Sequence, residues 1–343
     1  MSSHHATTVA GHPGASTRSP TWSSLALKGI LGIALFAIAN LATYYTSGYY
    51  EREREYDEGV QDYFTRPHAT ALFAGDSHVA QLDNELLADD VYNVAFGGDS
   101  LREVYAKLRY LLWRGARIQT LYLTADAHMF GDGRMESSNR AFVDPYLLET
   151  LSSYGMQSGW PSTALGSVPL FNDDFVQYLK KRITMSLKGE TPALVRGEEA
   201  VPWETLTDAE REAQAVSTGK MDHAGIGAHP EPFLWYERIA ALAVAHHVHI
   251  VAVLYPAHPG YINSVPSGAD ARVAAELAAL HITDVLDFRH AFSQPSYFSD
   301  PDHVSRKGAI ALLELISTRT GHNILAATIV PDAARKTEMT RVE

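Results

Sequence analysis

Hydrophobic and polar positions divide the chain into three regimes. Residues 1–24 carry no hydrophobic period and are rich in Ser, Thr, Gly, Pro and His, the pattern of a disordered tail. From Gly29 to Tyr50 there follow 22 positions without a charge, strongly apolar as far as Ala42 and then bordered by tyrosines. This pattern predicts a transmembrane helix over 25–47 with an interfacial aromatic belt. Arg18 and Lys28 precede the span, while Glu51, Glu53, Glu55, Asp57 and Glu58 follow it. The positive-inside rule then sets the N-terminus in the cytoplasm and the remaining chain in the periplasm, with the span in the inner membrane. A buried core helix is the bland alternative. A cleaved signal peptide, with Ala37-Ile38-Ala39 as its small-x-small site, is the closer rival.

The third regime is an α/β alternation. Residues 48–66 are charged at nearly every second position and read as a solvated juxtamembrane helix or linker. Past Pro67, short apolar runs predict strands at 70–74, 91–96, 118–123, 248–254 and 284–288. Between them, Ser100 with Glu103 makes a capping box opening a helix through Trp113. Further helices are expected at 233–246 and 306–318. Strands alternating with helices imply a single three-layer α/β/α domain over 67–325, flavodoxin-like, with a mainly parallel five-stranded sheet. A short tail, 326–343, would close the chain. From about 132 to 232 the rhythm is lost apart from a capping box at Thr207 and Glu210. That stretch reads as an insertion, either a lid or binding surface or a structural excursion on the sheet edge.

Composition narrows the chemistry. The 343 residues are 46% hydrophobic and 20% charged, a globular balance. Lys+Arg 28 against Asp+Glu 40 gives a net charge of −12, which opposes nucleic-acid binding. There is no cysteine, so a catalytic nucleophile must be oxygen or nitrogen. Gly75-Asp76-Ser77-His78 follows the first strand, at the carboxyl edge where open α/β sheets bind ligands. Asp300-Pro301-Asp302-His303 precedes the last helix. Ser, His and Asp are the parts of a nucleophilic triad, in which His takes the serine proton and Asp fixes the imidazole. Asp126-x-His128 and the group His246, His247 and His249 have metal-like spacings without a matched third ligand, so no metal and no other cofactor is expected. Tyr255-Pro256-Ala257-His258-Pro259 either lines the site or forms a Pro-braced turn.

Phe73-Ala74-Gly75-Asp76-Ser77, Asn93-Val94-Ala95-Phe96-Gly97-Gly98 and Asp300-x-x-His303 resemble, in order and placement, three blocks of the SGNH (GDSL-like) hydrolase superfamily. The resemblance covers roughly 70–318, with the insertion unmatched. It implies Ser77 as nucleophile, His303 as general base and Asp300 as its orienting partner, with Asp302 a rival. It also implies backbone N–H donors to the oxyanion from Ser77 and from Gly97 or Gly98. Where the family places Gly-x-Asn-Asp after the third strand, this chain has Thr124-Ala125-Asp126-Ala127-His128. An ionised Asp accepts but cannot donate, so one oxyanion donor is missing unless His128 supplies it. Asp76, His78, Asp126, His128 and His258 are the remaining candidates for substrate-binding or accessory roles. Membrane-tethered members of this kind are similar to the accessory O-acyltransferases of cell-surface polysaccharide modification. The resemblance therefore implies a serine acyl-esterase or O-acyltransferase using an acyl donor and a polysaccharide, with a membrane-bound O-acyltransferase as partner. A catalytically silent domain that scaffolds a polysaccharide-synthesis complex is the alternative.

Overall fold

Five short strands form one parallel sheet in a computed structural model that describes residues 22–135, 139, 142, 143, 146, 169–187 and 202–329. The strands are β1 (Ala71–Ala74), β2 (Val91–Asn93), β3 (Thr120–Thr124), β4 (His249–Leu254) and β5 (Val285–Asp287), in the order β2-β1-β3-β4-β5. Each is bordered by helix or turn, as the alternation predicts. The strand expected over 91–96 stops at Asn93, because that side chain leaves the ladder. Its Oδ1 accepts from the Ala95 N–H, and its Nδ2 donates to the Val79 and Leu82 carbonyls.

Alternate strand residues feed two separate cores, the signature of a sheet covered on both faces. Leu72, Leu121, Leu123, Ala252 and Leu254 lie in one cluster with α4 (Leu101–Trp113) and the helix Glu231–Ala245. Phe73, Tyr122, Val251 and Val253 lie in the other with the helix Arg306–Thr320, the Phe73 and Tyr122 rings stacking at 4.6 Å. Both capping boxes form, at Ser100/Glu103 and at Thr207/Glu210, the latter opening the helix Asp208–Asp222. Within the predicted insertion, residues 147–168 and 188–201 lie outside the described residues, as do the tail before residue 22 and residues 330–343.

The N-terminal region departs from expectation in one respect. α1 (Trp22–Thr46) contains a segment, Ala26–Thr46, long and apolar enough to cross a membrane. Its Leu27, Ile30, Leu31, Ile33, Ile38 and Leu41 side chains are exposed, so it is not a core helix of the described fold. α2 (Gly48–Gln61) follows after the single residue Ser47, whose side chain caps it. The expected solvated linker is half wrong. Tyr49, Tyr50, Tyr56 and Val60 of α2 and Tyr63 after it are buried in the first core cluster, on the same face as α4. The charge pattern over 48–66 hid an aromatic stripe at helical spacing, and burial of those rings attaches α2 to the sheet layer.

Candidate functional site

Chain order reverses between β1 and β3, so the crevice at their carboxyl ends is the natural ligand position of this sheet. The turn after β1 is set by Gly75. A Cβ there would lie 2.3 Å from Val79 Cγ2 and 2.9 Å from Thr124 Cγ2, so only glycine lets the chain fold this tightly against β3. Asp76 is thereby driven underneath and caps the short helix α3 (Ser77–Ala80), accepting from the His78 N–H at 3.2 Å. Ser77 is left half-buried at the rim, its hydroxyl without a hydrogen-bond partner among the described residues.

Four loops meet beneath Ser77 through buried ionic pairs. His78 Nδ1 donates to Asp126 Oδ2 at 2.9 Å and its Nε2 to Asp302 Oδ2 at 3.1 Å. Asp126 Oδ1 also accepts the Tyr255 N–H at 2.9 Å, joining the loops after β3 and β4. His128 Nε2 donates to Asp76 Oδ2 at 2.8 Å, and Arg134 pairs with the same carboxylate oxygen. Burial opposes ionisation of Asp76, yet Arg134, His128 and His78 hold its carboxyl well below the usual carboxylate range. Burial likewise opposes charge on His78, but Asp76, Asp126 and Asp302 keep it protonated well above its ordinary value.

His303 sits on a preformed turn. Asp300 Oδ1 accepts from the backbone N–H groups of Asp302 (3.1 Å) and His303 (2.9 Å), an Asx-turn. The same carboxylate receives His303 Nδ1 at 2.8 and 2.9 Å, whereas the rival Asp302 stands at 3.6 Å and faces His78. His303 Nε2 is buried with no hydrogen-bond partner among the described residues, and its ring stands edge-on to His78 at 5.3 Å. Burial would lower the His303 pKa, but Asp300 and Asp302 raise it. No hydrogen bond joins His303 Nε2 to Ser77, so the structure builds the His–Asp pair and leaves the serine contact open.

The loop after β2 faces Ser77, since a Cβ placed on Gly97 would be 3.8 Å from Ser77 Cβ. Gly98 takes φ +87°, a left-handed conformation that favours glycine. Asn93 clasps this loop to the one carrying Ser77 through the Val79 and Leu82 carbonyls. An unforeseen buried network holds its far side. Arg52 Nη2 donates to the Gly97 carbonyl at 2.6 Å, Asn139 Nδ2 donates to it at 3.1 Å, and Lys107 Nζ reaches Asp99 Oδ2 at 2.5 Å and the Val94 carbonyl. Nothing in the sequence marked Arg52 out, because its partner is 45 residues away. Beyond the loop an open groove of about 500 Å³ is lined by Glu51, Arg52, Glu55, Phe96, Tyr178 and Arg182.

The third-block expectation is corrected in part. His128 spends its Nε2–H on Asp76 and is 1% exposed, so it does not stand in for the missing oxyanion donor. Asp126 and His128 tie loops together below the surface. His258 is a helix cap: its Nδ1 accepts the Gly260 N–H at 3.2 Å, and its own N–H donates to the Pro301 carbonyl at 2.8 Å, which steadies the His303 turn.

Two groups among the described residues bring metal-ligating atoms within 4.8 Å: Asp76, His78 and His128, and His78, Asp302 and His303. Neither group contains Asp126, so the Asp126-x-His128 spacing itself gathers no third ligand; His128 is grouped with Asp76 and His78 instead. In the first group Asp76 already carries the Arg134 guanidinium. In the second, His303 Nε2 has an open lone pair, with Asp126 and Asp300 behind the two histidines as supporting carboxylates. His246, His247 and His249 form no such group; His249 instead pairs with Asp284 at 2.7 Å. No protein-family model matches the chain, and no curated protein matches its sequence.

Proposed function

We propose that this chain is a serine acyl-esterase or O-acyltransferase of the SGNH kind, held at a membrane by α1 and acting on a carbohydrate in the periplasm. The observation that carries the reading is His303. Its Nδ1 is fixed by Asp300 at 2.8 Å, while its Nε2 is buried, basic and without a partner among the described residues. Ser77, whose hydroxyl also lacks a partner among the described residues, rises from a neighbouring loop at the same sheet edge. Contacts of this type are often long without ligand and tighten in the substrate complex.

In the reaction, Ser77 Oγ attacks the acyl carbonyl as His303 Nε2 takes the hydroxyl proton. Asp300 stabilises the imidazolium. Backbone N–H groups of Ser77 and the Gly97–Gly98 loop receive the oxyanion. Collapse returns the proton to the leaving oxygen and leaves acyl-Ser77. Water or a sugar hydroxyl, deprotonated by His303, then releases the acyl group. The groove beside the loop mixes two aromatic rings with carboxylates and guanidinium groups, a lining suited to sugar C–H faces and hydroxyls. An acyl donor exported by a multi-spanning membrane-bound O-acyltransferase would complete the pathway.

A second reading, a silent scaffold, is favoured by one observation: Asp126 and His128 are consumed in buried pairs, and losing one oxyanion donor costs about 10²–10³ in rate. One experiment separates the two. Full-length protein in detergent, mixed with p-nitrophenyl acetate, is expected to give a burst of nitrophenol followed by slow turnover, and a fluorophosphonate is expected to label Ser77. Ser77→Ala should abolish both with an unchanged melting curve. A burst that survives Ser77→Ala would refute the serine mechanism. Absence of burst and label in the unaltered chain would favour the scaffold.

A further inference from the structure

We propose that Arg52, on the helix that leaves the candidate membrane span, is a positioning residue for the oxyanion loop. The inference rests on the serine reading above.

The loop from Val94 to Asp99 contains two adjacent glycines, the least constrained backbone available, yet oxyanion donors must be held in place before reaction. Side chains from outside the loop peg it at three points. Lys107 of α4 holds the Val94 carbonyl and the Asp99 carboxylate. Asn139 bridges Asp99 Oδ1 (2.9 Å) and the Gly97 carbonyl (3.1 Å). Arg52 Nη2 makes the shortest contact to that carbonyl, 2.6 Å, and also donates to Asn139 Oδ1 at 3.2 Å. Its guanidinium lies over the Phe96 ring at 5.2 Å from the centroid, so it grips the residue before Gly97 as well.

The consequence follows from peptide geometry. The Gly97–Gly98 peptide is planar and trans, so fixing the Gly97 C=O toward Arg52 fixes the Gly98 N–H in the opposite direction. The Gly97 Cα face meanwhile looks onto Ser77. One charge-assisted hydrogen bond from α2 therefore sets the orientation of the loop beside the nucleophile. Lysine could supply the charge but not the planar fork that reaches carbonyl, amide and ring together.

The test uses the full-length protein in detergent and the burst phase with p-nitrophenyl acetate. Arg52→Ala is expected to slow acylation about tenfold to a hundredfold, less than the roughly 10²–10³ lost when an oxyanion donor is removed outright. The ester concentration at half-saturation and the pH midpoint set by His303 should stay unchanged. Added guanidinium ion at millimolar concentration should restore part of the rate to Arg52→Ala and none to the unaltered protein. Arg52→Lys, which keeps the charge, should fall between and serves if the alanine variant does not fold. An unchanged acylation rate in both variants would overturn the proposal while leaving the serine reading intact. A slowed variant with a shifted pH midpoint and no guanidinium rescue would reduce Arg52 to a structural role and overturn it equally. No burst in the unaltered protein would sink the serine reading, and this inference with it.

Discussion

At the residue scale, the buried charge of the site turns on His78. Donating from both ring nitrogens to Asp126 and Asp302, it must carry both protons and is a buried imidazolium. Its raised pKa contributes stability that is fully present below about pH 6.5 and is lost only as pH rises through the higher folded value. Asp76 and Asp302, both depressed despite burial, contribute stability present above about pH 4 and lost as pH falls through their folded values. His78→Gln removes the cation and strands two buried carboxylates. It should cost about 3–5 kcal/mol in urea unfolding at pH 7, and less near pH 4, where the carboxylates can take up protons. His303 carries a different pH signature. As the proposed base it must be neutral, and its pKa is raised, so the burst rate should climb with pH and reach half its maximum above pH 6.5. A profile flat from pH 5 to 9 would remove His303 from the role of base.

At the scale of elements, the turns carry more of the candidate site than the strands they join. Gly98→Ala forces a Cβ into the left-handed region and should cost about 1 kcal/mol or more in stability. Because the strain falls on the proposed oxyanion loop, the burst rate should drop further than the melting temperature suggests. Much of this level was legible in the sequence. Four of the five strands follow from apolar runs of a length suited to buried parallel strands, β5 being a short, largely exposed edge strand, and Ser100/Glu103 and Thr207/Glu210 announce their helices by local hydrogen bonding alone. The Asp300–His303 pairing was readable for the same reason, its partners being three residues apart. The Asp76–His128, His78–Asp302 and Arg52–Gly97 contacts were not. They join residues 52, 224 and 45 positions apart, and only the sheet order brings them together. Asp126 looked like a failed oxyanion residue because its sequence neighbours do not reveal that His78 and the Tyr255 amide saturate it.

At the scale of the whole molecule, the folding unit begins before Pro67. A fragment starting there discards Tyr49, Tyr50, Tyr56, Val60 and Tyr63 and uncovers the core face they bury. With roughly 1.5–3 kcal/mol at stake for each large apolar side chain, it should aggregate or melt far below a fragment starting at Ser47. Matching melting curves for the two fragments would show α2 to be dispensable. The junction between α1 and α2 carries the last consequence. One residue separates the helices, Arg54 reaches back to the Tyr44 carbonyl at 2.9 Å, and Tyr44 packs on Tyr50 at 5.3 Å. With α1 seated in a bilayer, such a junction has no slack: the protein stands on a post rather than swinging on a leash. The sheet edge carrying Ser77 and His303 would then patrol a layer at one fixed height above the lipid, and under the proposed function a polymer would be modified only where it threads through that layer.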